Sequence, residues 1–261
     1  MDADSHLRVN KVSRRIALLT ASCIASAFVV GGVGGRIVMR ISAMAAGPEM
    51  IGRITENGNR VGEFTVFGTL FLVLLVGVLV GMFGSVIVVA SDQWVKWMGP
   101  VQGLGFGLVA LALIGQQENF GSTDFLILEP VGLNIAMFTA LPLLWGFGVT
   151  GAYWLLDQKV PPAATTPQPL WMAASLPLLL GLVALSLFLL VPGFSGGTAA
   201  YEMAAILFVM TISAVTHAIS SAYQSVPATV EKVARIAGYG SLALLLTVGL
   251  WGAVTEVRHL I

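Results

Sequence analysis

The chain has 261 residues, 57% of them hydrophobic and only 10% charged, and its 13 Lys and Arg balance 13 Asp and Glu. A mean hydropathy of +0.90 places it in lipid rather than water, and the absence of net positive charge excludes a nucleic-acid partner or a polybasic surface anchor. One cysteine, Cys23, excludes an intramolecular disulfide and any multi-cysteine metal centre, and three histidines, His6, His217 and His259, are too few for a haem or zinc hydrolase site, so no cofactor or metal is expected.

At the N-terminus, Arg8, Lys11, Arg14 and Arg15 precede "IALLTASCIASAF", which has the layout of a signal peptide with Ala25-Ser26-Ala27 as its cleavage site. The apolar stretch runs on far enough to span a bilayer, and Thr20 stands where a lipoprotein signal needs an aliphatic residue. It reads as a retained first membrane helix. Apolar runs of about twenty residues, the length that crosses roughly 30 Å of hydrocarbon, fall near residues 16 to 38, 64 to 90, 99 to 116, 131 to 156, 170 to 191, 203 to 222 and 237 to 256.

The expected fold is an all-α integral membrane protein of seven transmembrane helices. Residues 1 to 15 form a cytoplasmic segment, 16 to 256 the membrane domain and 257 to 261 an outer tail. With the N-terminus inside, the inner segments hold Arg8, Lys11, Arg14, Arg15, Lys96, Lys159, Lys232 and Arg235, and the outer ones only Arg36, Arg40, Arg53, Arg60 and Arg258. That bias sets the N-terminus in the cytoplasm and the C-terminus outside.

The first run ends in "VVGGVGGRIVMRIS", where Gly31 and Gly35 make a small-xxx-small face and Gly32 and Gly34 thin the opposite side. No phosphate-binding GxGxxG results, since Ile37 stands where the last glycine belongs. Arg36 and Arg40, one turn apart, have the spacing to clamp an anionic headgroup or solute. Arg36 lies about 31 Å along a helix from Arg15, however, at the outer boundary where arginines snorkel or form salt bridges.

Between the first two runs, "GRITENGNRVGEFT" is a polar stretch whose Asn57-Gly58 suits a type I′ turn, pairing Glu56 with Asn59, Thr55 with Arg60 and Ile54 with Val61. A β-hairpin at about 52 to 64 is therefore expected, lying on the outer ends of the helices. Arg53 and Arg60 fall on its one face, and Glu118, Asp124 and Glu129 are available on the same side to answer them. The result is a salt-bridged rim or, alternatively, a lid over a vestibule.

A weak repeat links the ends of the runs. "DQWV" begins at Asp92, "DQKVPPA" at Asp157 and "YQSVPAT" at Tyr223, while Glu63, Glu129 and Glu202 each stand at the outer start of a run. Three two-helix hairpins in parallel repeat, followed by a seventh helix, would explain both registers. The preference of helix N-termini for carboxylates, and of proline for the residues after a helix, is the simpler account.

"GFSGG", Gly193 to Gly197, satisfies GxSxG, yet no strand precedes Ser195 and His217 lies at a different depth, so no nucleophile elbow is built. The last run has no lysine to carry a retinal Schiff base. Ser213, His217, Ser220 and Gln224 recur at helical spacing on one face of the sixth run, and polar groups at membrane depth must face protein or water. They bond neighbouring helices or line a polar pathway in which His217 titrates near neutral pH.

"GGRIVMR", then "GRIT", then "GTL" resemble a set of uncharacterised actinobacterial multi-pass membrane proteins, over about residues 31 to 156. The resemblance implies a bacterial plasma membrane and carries no activity. The expectation is permeation or binding of a small solute or ion. The alternative is a non-catalytic scaffold or accessory subunit, and an enzyme ranks third. Expected partners are membrane lipids and a second copy or another membrane subunit.

Overall fold

The computed structural model describes residues 3 to 54, 60 to 63, 65 to 114, 130 to 163, 205, 206, 208 to 216, 219 and 227 to 260. The first helix starts as α1 (Ala3–Ser26), widens into a π-helical stretch (Ala27–Gly34) and continues as α2 (Gly35–Ala45). Its partner follows the same plan: α3 (Val66–Leu75), a π-helical stretch (Val76–Val80), then α4 (Gly81–Val95). Two antiparallel helices thus widen where they cross, and glycine permits it. A Cβ built on Gly81 would stand 2.7 Å from the Ile24 Cα, one on Gly32 3.0 Å from the Val73 Cα, and one on Gly77 inside the Phe28 ring.

This packing differs from the glycine face expected on the first helix. A Cβ built on Gly35, although the residue is buried, would meet no neighbouring element within 4 Å, whereas Gly32 takes the close approach and one on Gly34 would meet Leu141. The π-helical stretch is the physical reason: its i→i+5 bonding rotates each residue off the 3.6-residue phase on which the Gly31/Gly35 spacing was read.

After α4 the chain turns back through a 3-10 stretch, Lys96–Val101, in which Gly99 adopts φ 56, ψ −121 ahead of Pro100. Helix α5 (Gln102–Ile114) then returns antiparallel to α6 (Val131–Lys159). A Cβ on Gly103 would lie 2.8 Å from the Phe147 Cα and one on Gly107 2.7 Å from the Leu143 Cα, so the two backbones touch through glycine, a contact in which interfaces between apolar membrane helices are enriched. Last comes α7 (Ala228–Leu260), whose Gly238 sits on the Trp94 ring and whose Gly249 abuts the Ala112 backbone, so it runs parallel to α5. Cys23, Ala27, Val88, Trp94, Phe106, Val109, Trp145, Val149, Met210 and Leu245 close the core between these helices.

Four helical stretches are long and apolar enough to cross a membrane: His6–Ala45, Val66–Leu113, Val131–Lys159 and Ala228–Thr255. Seven were expected. The runs at 64 to 90 and 99 to 116 are the two legs of the second stretch, folded at Gly99-Pro100, and the return leg α5 has 13 residues. The run at 170 to 191 lies outside the described residues, as does much of that at 203 to 222, where residues 208 to 216 are helical. Outward faces carry Phe67, Leu70, Trp154, Leu155 and Trp251, all exposed, which suits contact with hydrocarbon.

The expected β-hairpin is not formed as a pair of strands among the described residues. One isolated antiparallel bridge joins Ile54 to Arg60, and the Val61 N–H donates to the Arg53 carbonyl at 2.8 Å. That register is one residue away from the Ile54–Val61 pairing a two-residue turn demands. The expected Asn57-Gly58 turn lies outside the described residues, and at the flanks Gly52 and Gly62 have φ of 87° and 77°, which bends the chain at both ends of the bridge.

Candidate functional site

The densest polar constellation lies at the end of the bundle where α1 begins and α4 and α6 end. Lys11, Arg14 and Arg15 share a face of α1, being spaced i, i+3 and i+4. Arg15 grips Asp92 with two parallel bonds, Nε to Oδ2 at 2.8 Å and Nη2 to Oδ1 at 2.9 Å. The Gln102 amide donates to the same Oδ1 at 2.9 Å. Asp92 is 8% exposed, so this fork supplies the compensation its charge needs at the end of an apolar helix.

Arg14 turns the other way. Its Nη1 meets Asp157 Oδ1 at 2.5 Å, while Nε and Nη2 donate to the carbonyls of Pro161, Asp157 and Val160 at 2.8 to 3.1 Å. The Asp157 carbonyl is one a helix leaves unsatisfied at its C-terminus, those of Val160 and Pro161 follow directly, and the cation there also opposes the negative end of the α6 dipole. The Arg15 guanidinium stands 5.6 Å from the Tyr153 ring centroid, a cation–π distance. Adjacent arginines of one helix therefore hold the ends of two others. Both carboxylates belong to the repeated Asp-Gln pairs, Asp92-Gln93 and Asp157-Gln158.

Beside these contacts opens a cleft of about 550 Å³, lined by Lys11, Arg14, Arg15, Tyr153, Asp157 and Gln158 with the chain at Val160, Pro162 and Ala163. Lys11 is exposed and makes no ion pair with a described residue.

The opposite end holds the arginines expected at the outer rim. Arg40 Nη1 donates to the Gly62 carbonyl at 3.2 Å, tying α2 to the 60 to 63 segment. Arg36 points instead toward Gly68 at the head of α3, and its buried Nε has no hydrogen-bond partner. The two do not converge into a clamp. Arg53, Arg60 and Glu63 are exposed and form no ion pair with a described residue. Glu118, Asp124, Glu129 and Glu202, the other expected carboxylates, lie outside the described residues, as do His217, Ser220 and Gln224 of the polar stripe. Ser213, its described member, is buried, and its Oγ donates to the Val209 carbonyl of its own helix at 2.8 Å.

The site at Arg14 and Arg15 was not singled out from the sequence, although its signals were present. The repeat marked Asp92 and Asp157, and the basic pair was read only as a topology signal.

No family model, no curated protein and no solved structure matches the chain. Fold and site together define a helical protein with several stretches long and apolar enough for a membrane, tied at one end by two Arg–Asp contacts.

Proposed function

We propose that the protein is a non-catalytic membrane subunit, a rigid helical platform for a partner chain, rather than a path for solutes. The observation that carries this reading is the fate of the buried hydroxyls. Ser22, Ser85, Ser91, Ser213 and Ser241 each donate to a carbonyl of their own helix, and Ser26 donates to the Trp145 carbonyl of α6. A hydroxyl satisfied in this way has spent its one donor on a backbone carbonyl and has none left for a moving anion or water oxygen. Thr20 and Ser42, whose hydroxyls have no such partner, are roughly 33 Å apart by helical rise and line no common route.

Partner contact is supported by α7, where Gly240, Ala243 and Thr247 form an exposed strip of small residues and nothing lies within 4 Å of a Cβ built on Gly240. Such a strip suits close approach of a second membrane helix, from another copy or another chain. Seven crossings with the N-terminus inside, in a bacterial plasma membrane, remain our reading of the topology. Two facts favour it: basic residues gather at the Arg14/Arg15 end, and α6 ends at the same end from which α7 starts, which requires an even number of crossings between them.

The test is reconstitution into liposomes with ion-flux and osmotic-swelling readouts, alongside the native mass of the detergent-extracted protein. Flux no greater than in protein-free vesicles is expected, with an extracted assembly larger than one chain that shrinks in a Gly240→Leu, Ala243→Leu variant. Chain-dependent flux would overturn the proposal.

A further inference from the structure

Three cations on one face of α1 line the cleft and meet two carboxylates, Asp157 within its lining and Asp92 outside it, and the pairing is unequal. Arg14 is taken by Asp157 and by three backbone carbonyls, and Arg15 by Asp92. Lys11 keeps all three of its donors, and Arg15 keeps three of the five N–H groups a guanidinium carries. The Arg15 side chain is 35% exposed, so those donors are accessible. The Tyr153 phenol and the Gln158 amide add further hydrogen-bonding groups to the lining.

The cleft therefore has a surplus of one positive charge and donors from several side chains converging on about 550 Å³. It lies beside Ile16, where the apolar part of the first helix begins, which is the level of lipid headgroups in a bilayer. We propose that this cleft binds a singly charged phosphate group, with Lys11 and the free face of Arg15 as its ligands and Tyr153 and Gln158 as its polar wall. Basic recesses between membrane helices at the cytoplasmic side recognise phosphorylated headgroups by this chemistry. The same phosphate could be carried by an anionic phospholipid or by a soluble monoanion. The Arg14–Asp157 and Arg15–Asp92 contacts hold the donors in place and do not themselves have to break.

The experiment uses the full chain in detergent, titrated with short-chain phosphatidylglycerol, short-chain phosphatidylcholine and inorganic phosphate. Binding is read by native mass spectrometry and by thermal midpoint. Lys11→Ala removes the surplus charge from an exposed position without touching either Arg–Asp contact, and Lys232→Ala, exposed on α7, is the control for general charge loss. Phosphatidylglycerol should bind in preference to phosphatidylcholine and weaken about tenfold in Lys11→Ala, with Lys232→Ala unchanged. If only the lipid binds with this dependence, the phosphate is that of a headgroup; if inorganic phosphate shows the same Lys11 dependence, the site serves a soluble anion. Equal affinity of wild type and Lys11→Ala, or equal weakening by Lys232→Ala, would overturn the proposal.

Discussion

Asp92 and Asp157 are the same residue type in the same local sequence, yet they differ in what losing a partner costs. The Asp92 side chain is 11% exposed and that of Asp157 45%. Arg15→Ala strands a nearly buried carboxylate with one amide, and a destabilisation of about 2 to 3 kcal/mol is expected. Asp157→Asn changes the half-exposed partner, and Arg14, 14% exposed, keeps its three carbonyls, so the loss should be the smaller one, about 1 kcal/mol. SDS-unfolding midpoints compare the two directly, and equal losses would mean that burial does not separate them. An Arg15→Met, Asp92→Leu double variant should recover most of the first loss, because exchanging both ions for apolar groups removes the stranded charge. The repeat that contains these aspartates was legible in the sequence. Their partners were not, because Arg14 and Arg15 are adjacent and nothing local says that neighbours on one helix turn toward different helices.

At the scale of the helix, glycine position matters more than glycine count. Gly146 faces the backbones of Gly103 and Gly107, whereas at Gly35, buried in the most glycine-rich stretch of the chain, an added Cβ would meet nothing within 4 Å. Gly146→Ala is expected to separate α5 from α6 and cost at least about 2 kcal/mol, while Gly35→Ala should be neutral or slightly stabilising, since alanine is the better helix former. Thermal midpoints in detergent measure both, and a large effect at Gly35 would restore the face read from spacing alone. Hydrophobic length was enough to find α1, α3, α4, α6 and α7. It could not reveal the two π-helical stretches, which lie where the two helices approach through glycine, nor the bridge between Ile54 and Arg60, which is flanked by the bends at Gly52 and Gly62.

For the molecule as a whole, the directions of the helices make a definite topology expectation. Cys23 is buried and is the one cysteine of the chain, so a Cys23→Ala background leaves no native thiol to interfere with labelling. Cysteines placed at Lys11, Ala163 and Lys232 should then react with an impermeant maleimide from one side of the membrane, and those placed at Thr65 and Arg258 from the other. Labelling of Ala163 and Lys232 from opposite sides would mean an odd number of crossings between α6 and α7. The overall class was readable from composition, because an apolar chain of this kind has few ways to satisfy its backbone in lipid. The bonding of the described serines was not, since a serine that bonds its own helix and one that lines water look alike in sequence.

The paired arginines also impose an order in time. Asp92 lies 77 residues beyond Arg15, and Asp157 lies 143 beyond Arg14. At a synthesis rate of roughly 5 to 20 residues per second, Arg15 waits about 4 to 15 s for its carboxylate and Arg14 about 7 to 29 s. In that interval both remain charged and hydrated, which holds the start of the first helix on the side where it was made. Each hairpin that arrives brings a carboxylate to one of them and ends its wait. The nascent chain thus records the completion of its second and fourth hydrophobic runs in the pairing of two neighbouring residues that stay charged throughout.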